Sequence, residues 1–173
     1  MKKYIIIAIL FLFYYQAFAQ VAIGKSSLSS TSSSLEFGVG NRGIVLPWVT
    51  DASTLNSSVK GTLVFDIKDK KVKVKLVSGW RDLSIDNSGV VNTTLQDGLN
   101  DLPSAKVMIG KNPSTDTTPG ILVLTDENKA MVLPNVPSPH VNIQNPAPGM
   151  MVYDTTTHQL AVFNGSVWSF WKP

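Results

Sequence analysis

The sequence predicts an all-β fold: two tandem repeat units of short antiparallel strands and hairpins, joined by a polar connector. Three observations carry that expectation. Four blocks of sequence recur in the same order at offsets of 86 to 88 residues. Within the blocks, apolar and polar residues alternate at a period of two, as a half-buried strand requires. Gly, Pro, Asn and Asp punctuate the chain at short intervals, and no window after the leader sustains the apolar period of an amphipathic helix.

The chain opens with Lys2 and Lys3, then an uncharged, mostly apolar stretch from Tyr4, then small residues at Ala17 and Ala19. This is the pattern of a secretory signal peptide over residues 1–19, cleaved after Ala19. The stretch from Tyr4 to Ala19 is 16 residues long, short of the roughly 20 that span a bilayer. The expected mature chain is therefore exported across the inner membrane of a bacterium and does not span a membrane. Its address is the cell surface, the medium or the periplasm. The formal charge of +3 includes the two leader lysines, so the mature chain is nearly neutral and offers no electrostatic case for nucleic acid.

Unit one is assigned to residues 20–84, the connector to 85–106 and unit two to 107–173. Val21-Ala22-Ile23-Gly24-Lys25 recurs as Val107-Met108-Ile109-Gly110-Lys111. Arg42-Gly43-Ile44-Val45-Leu46-Pro47 recurs as Lys129-Ala130-Met131-Val132-Leu133-Pro134. Gly61-Thr62-Leu63-Val64-Phe65-Asp66 recurs as Gly149-Met150-Met151-Val152-Tyr153-Asp154, and Trp80 as Trp168. Pro47 and Pro134 end their strands, because proline cannot donate to a ladder. Asp66–Lys70 and Asp154–His158 lie between strand-like runs, as hairpin loops do. Val72, Val74 and Leu76 alternate with Lys71, Lys73 and Lys75, which places the lysines outward and discourages edge pairing. Unit two lacks such a row, so it is expected to carry the adhesive face, towards unit one or a second copy. Units of this size bury little surface alone and need a neighbour.

Composition removes most catalytic classes. The chain has no cysteine and two histidines, with 43% apolar and 16% charged residues. A disulfide framework, a thiolate metal site and a cysteine nucleophile are excluded. Gly38-Val39-Gly40-Asn41-Arg42-Gly43 has dinucleotide-loop spacing, but a strand ending in Pro47 follows instead of the helix that chemistry needs. Ser166, His158 and Asp154 are the residue types of a triad, yet unit one has Lys70 where unit two has His158, and no nucleophile elbow is present. Asp66 and Asp154 recur at matched positions, but one acid per unit is too few for calcium. No catalytic residue, cofactor or metal site is assigned, and the chain is expected not to be an enzyme. Gly24, Gly110, Pro47, Pro134, Asp66, Asp154, Trp80 and Trp168 are read as structural positions of the repeat. Trp48, Phe170 and Trp171 have no counterpart between units. They are candidates for an interface or, in a carbohydrate-binding alternative, for stacking on sugar rings.

The run from Ala147 to Trp168, with its Gly149-Met150-Met151-Val152-Tyr153-Asp154 block, its Thr155-Thr156-Thr157 turn and its Asn164-Gly165-Ser166 turn, resembles the tail-fibre-like or adhesin-stalk β repeat of secreted bacterial surface proteins. Unit one departs from it at Asp66–Lys70 and at Val77-Ser78-Gly79. The resemblance implies a non-catalytic structural or adhesive protein, fibre-like or an envelope accessory, that acts through protein interfaces. It also implies self-association, often as a trimer, or a partner among other envelope or surface proteins.

Overall fold

The computed structural model describes residues 20–102, 104–111 and 114–172. The leader assigned to residues 1–19 lies outside them. Fourteen strands and one four-residue α-helix run through the described residues, and the strands stack in a solenoid-like arrangement.

The chain starts with β1 (Val21–Ile23), which pairs in parallel with β2 (Ser33–Phe37). Two short strands follow, β3 (Ile44–Val45) and β4 (Trp48–Val49), and then a single 3-10 turn at Ala52–Thr54. Strands β5 (Leu63–Asp66), β6 (Lys71–Leu76) and β7 (Gly79–Asp82) form an antiparallel meander, and β4 adds to β5 in parallel. The second half repeats this order. Strand β8 (Val107–Ile109) pairs in parallel with β9 (Leu122–Leu124). Next come β10 (Ala130–Val132), β11 (Asn135–Val136) and a short helix α1 (Pro139–Asn142). A second meander, β12 (Met150–Asp154), β13 (Gln159–Phe163) and β14 (Trp168–Trp171), receives β11 in parallel.

Local chemistry repeats along with the order. Pro47 accepts from the Phe65 N–H at 2.9 Å, and Pro134 accepts from the Tyr153 N–H at the same distance. Each proline has no N–H to contribute, so the chain turns there and offers its carbonyl to the next strand. Lys70 and His158 close the matched hairpins, and both sit at φ 57°. The antiparallel hairpins are those the alternation predicts. The parallel pairs β1–β2, β4–β5, β8–β9 and β11–β12 add to them, because the chain must return along its own direction to build stacked coils.

The two halves are interleaved. Strand β10 pairs in parallel with β2, setting Met131 opposite Leu35. Strand β3 pairs antiparallel with β12, setting Ile44 opposite Met151. The main buried cluster is likewise shared: Leu46, Phe65 and Val72 from the first half, Met151 and Val162 from the second. Burying side chains of this size contributes about 1.5–3 kcal/mol each. A second cluster, Val136, Ile143, Val152 and Ala161, belongs to the second half.

The lysine row departs from its expected role. Lys73 is only 8% exposed, and its ammonium pairs with Asp66 at 3.0 Å and with Asp69. Lys71 pairs with Asp82, and Lys75 sits over the Trp80 ring at 5.3 Å. The cause is Asp66, a buried carboxylate on the neighbouring strand that draws one lysine inward. In the connector, Leu95 lies in a run of turns closed by Gln96 and Asp97 N–H groups on the Thr93 carbonyl.

Candidate functional site

The most constrained chemistry in the molecule is a pair of fully buried aspartates at matched positions. Asp66 ends β5 and Asp154 ends β12, and neither has any exposed surface. Asp66 accepts from the Ala52 N–H at 3.0 Å and the Asp69 N–H at 3.1 Å, with Lys73 beside it. Asp154 accepts from the Ser138 N–H and the Thr156 N–H, each at 2.9 Å, and from the Thr157 hydroxyl at 2.7 Å. Each carboxylate therefore ties the helical turn that precedes its strand to the hairpin that follows it. Burial pushes both carboxyls up. For Asp66 the Ala52 N–H, the Lys73 ammonium and the Asp69 N–H more than offset this. For Asp154 the Thr157 hydroxyl and the surrounding N–H groups do so. Both acids are held below the ordinary carboxylate range and stay ionised. Unit two has Ala161 where unit one has Lys73, and the Thr157 hydroxyl takes over at the position of Asp69.

A third buried acid stands in β2. Glu36 is gripped by Lys25, by the Ser29 N–H at 2.7 Å and by the Ser29 hydroxyl at 2.6 Å. The Lys25 bond, followed by the two Ser29 bonds, brings its pKa from 4.5 down to about 2. The serine-rich loop between β1 and β2 is thereby pinned to the sheet.

None of these groups is arranged to activate a nucleophile. Asp154 spends its oxygens on the loop around it. His158 approaches the Tyr153 hydroxyl at 3.5 Å, and Ser166 donates its N–H to Asn164. The Gly38–Gly43 segment is a turn leading into β3. Among the described residues no cluster of three or more histidines and acids could hold a metal. No helix among them is long and apolar enough to cross a membrane.

Two of the three aromatic candidates, Trp48 and Trp171, lie along the seam between the halves. The Trp48 indole donates to the Pro148 carbonyl at 2.7 Å, from the first half to the second. The Trp171 indole donates to the Leu83 carbonyl, from the second half to the first, with the Arg81 guanidinium over its ring at 5.2 Å. Phe170 packs against the second cluster and meets the His140 ring edge-on at 5.8 Å. All three are half-buried and do not form one open platform. Trp168 packs against Phe163 at 5.3 Å, and Trp80 carries Lys75. Gly24 and Gly110 end β1 and β8 with positive φ.

Some constrained residues escaped the sequence reading. Asn164 is fully buried. It donates to Asp86 at 2.7 Å and accepts from the Ser166 and Val167 N–H groups, so it clasps the connector to the last hairpin. The Asn-Gly dipeptide marks the turn but not this partner, 78 residues away. Tyr153, Leu160, Trp171, His158 and Lys172 line an open depression of about 450 Å³. Its lining comes from three separate stretches of chain.

Two outcomes are expected of the acids. Asp154→Ala strips the partner from buried N–H groups, at a cost of roughly 2–4 kcal/mol, while Asp154→Asn keeps an accepting oxygen and costs less. Urea unfolding of both variants checks this, and an Asp154→Ala midpoint equal to wild type would sink it. The Glu36 carboxyl is depressed in the fold, so its contribution is present above the unfolded value of 4.5 and fades as pH falls towards 2. Glu36→Gln should be less stable than wild type at pH 7, and the gap should narrow between pH 5 and 2. A gap independent of pH would contradict the role assigned to Glu36.

Residues 109–172 match the family model described as the phage tail like trimerisation region. No curated protein and no solved structure matches the chain significantly. The matched stretch begins at the end of β8 and runs through β14, so it holds the strand given to unit one, the buried Asp154 and the open depression. This part of the chain is similar to a trimerising element of phage-tail type.

Proposed function

We propose that the protein is a non-catalytic structural component that works as a homotrimer, a short fibre-like or envelope-accessory piece exported from a bacterial cell. The observation that carries this is the trimerisation-type stretch at 109–172 in a chain whose halves already bind each other by strand exchange and a shared apolar layer. Surfaces that join units within one chain are of the kind that join chains in an assembly. The leader pattern at residues 1–19 supports export, with the cell surface, the medium or the periplasm as destination. Adhesion to a second surface protein or to a glycan would be a further property of the assembled trimer.

Light scattering on the mature chain, residues 20–173, tests the proposal. A trimer of roughly 50 kDa, stable over micromolar dilution, is expected. A single chain's mass at every concentration would overturn it.

A further inference from the structure

The relation between the two units is directional, and one copy leaves it unsatisfied at both ends. Within the chain, unit two supplies β10 to the free edge of β2, and unit one supplies β3 to the free edge of β12. The counterpart of β2 is β9, which pairs with β8 alone among the described residues. The counterpart of the Met150–Met151 end of β12 is the Leu63 end of β5, and no strand corresponding to β3 lies on it among the described residues. A two-stranded parallel sheet such as β8–β9 is marginal in water without a further strand.

The apolar faces show the same asymmetry. Phe65 and Val72 are fully buried in the cluster they share with Met151 and Val162. The unit-two counterparts of Phe65 and Val72 are Tyr153 and Leu160, which are half-buried and line the open depression beside Trp171. The unit-one counterparts of Met151 and Val162 are Leu63 and Val74, also half-buried. The glycines agree. Gly149 lies on Phe65, where an added Cβ would come within 2.8 Å of the Phe65 Cβ. Its counterpart Gly61 has nearly the same positive φ, 87° against 79°, but nothing within 4 Å of the corresponding point. Leu63 and Leu160 touch the edge of the shared cluster, while Val74 and Tyr153 are no part of it, so unit one presents, only partly covered, the surface that unit two uses inside the chain, and unit two presents the matching receptor.

We infer that copies of this chain join head to tail, with unit one of one copy docking on the Tyr153–Leu160–Trp171 depression of the next. In that contact Gly61 of the incoming copy lies on the Tyr153 ring, as Gly149 lies on Phe65. The incoming β3 extends β9 in parallel, as β10 extends β2. The receiving copy's β10 pairs antiparallel with the incoming β5, as β3 pairs with β12. A head-to-tail contact either closes into a ring or runs on as a filament, and with the homotrimer proposed above the ring closes at three. The inference rests on the self-association proposed above and specifies the surface that carries it.

The absence of cysteine permits a direct test. A chain carrying both Gly61→Cys and Tyr153→Cys, oxidised as the assembled protein, should run as a covalent trimer on a non-reducing gel, and neither single variant should cross-link. Gly61→Asn strains the positive φ less than other side chains do and meets open space within one copy, so it should keep the wild-type circular dichroism but shift the mass to a single chain. A wild-type protein that scatters as a trimer, while the double-cysteine chain stays uncross-linked and Gly61→Asn stays trimeric, overturns the head-to-tail surface and leaves trimerisation standing. A covalent ladder beyond three overturns closure. A wild-type protein with one chain's mass at all concentrations removes trimerisation itself.

Discussion

The apolar layer shared by Leu46, Phe65 and Val72 of the first half and Met151 and Val162 of the second is the constraint on which the rest of the molecule depends. A unit of this size exposes too much of its own surface to fold robustly alone. Here the face of its meander that enters the shared layer is covered jointly by residues of its own unit and of the other. Each unit therefore completes its core with the other. The exchanged strands β3 and β10 follow from that packing, since they bring backbone donors and acceptors to edges that the shared layer has already placed side by side. Trp48 and Trp171 then bond across the seam in opposite directions, each to a backbone carbonyl of the other half.

The buried aspartates do the complementary work inside each unit. The helical turn and the hairpin at the ends of β5 and β12 would otherwise leave backbone N–H groups without partners in a dry place. One ionised carboxylate satisfies several of them at once and fixes the entry and exit of the strand. The two units solve the remaining charge differently. Unit one adds the Lys73 ammonium, and unit two adds the Thr157 hydroxyl. The aspartate is common to both, while its partners vary.

Much of the fold was legible in the sequence because the repeat blocks are strands, and strands announce themselves by alternation. The hairpins at Asp66–Lys70 and Asp154–His158, the proline stops and the all-β class all come from local signals. The parallel pairs were not legible, since strands of two residues such as Ile44–Val45 and Trp48–Val49 carry no period at all. The exchange of β3 and β10 was hidden because pairing over about a hundred residues leaves no local trace. Lys73 reads as an outward strand residue until Asp66 is seen buried beside it. At the candidate surface, the unmatched aromatics Trp48, Phe170 and Trp171 read only as candidates for an interface or for sugar stacking, and the depression at Tyr153, Leu160 and Trp171 emerges only when each residue is compared with its counterpart in unit one.

If the shared layer is the core, the two halves open together. Native-state hydrogen exchange on the mature chain reads this directly, through the amides of Val72 in β6 and Val162 in β13, both in buried strands. Both are expected to exchange through the same global opening, with free energies that agree within about 0.5 kcal/mol. Opening of β6 at a free energy lower than that of β13 by more than about 2 kcal/mol would mean that unit two folds without unit one, and would contradict that expectation.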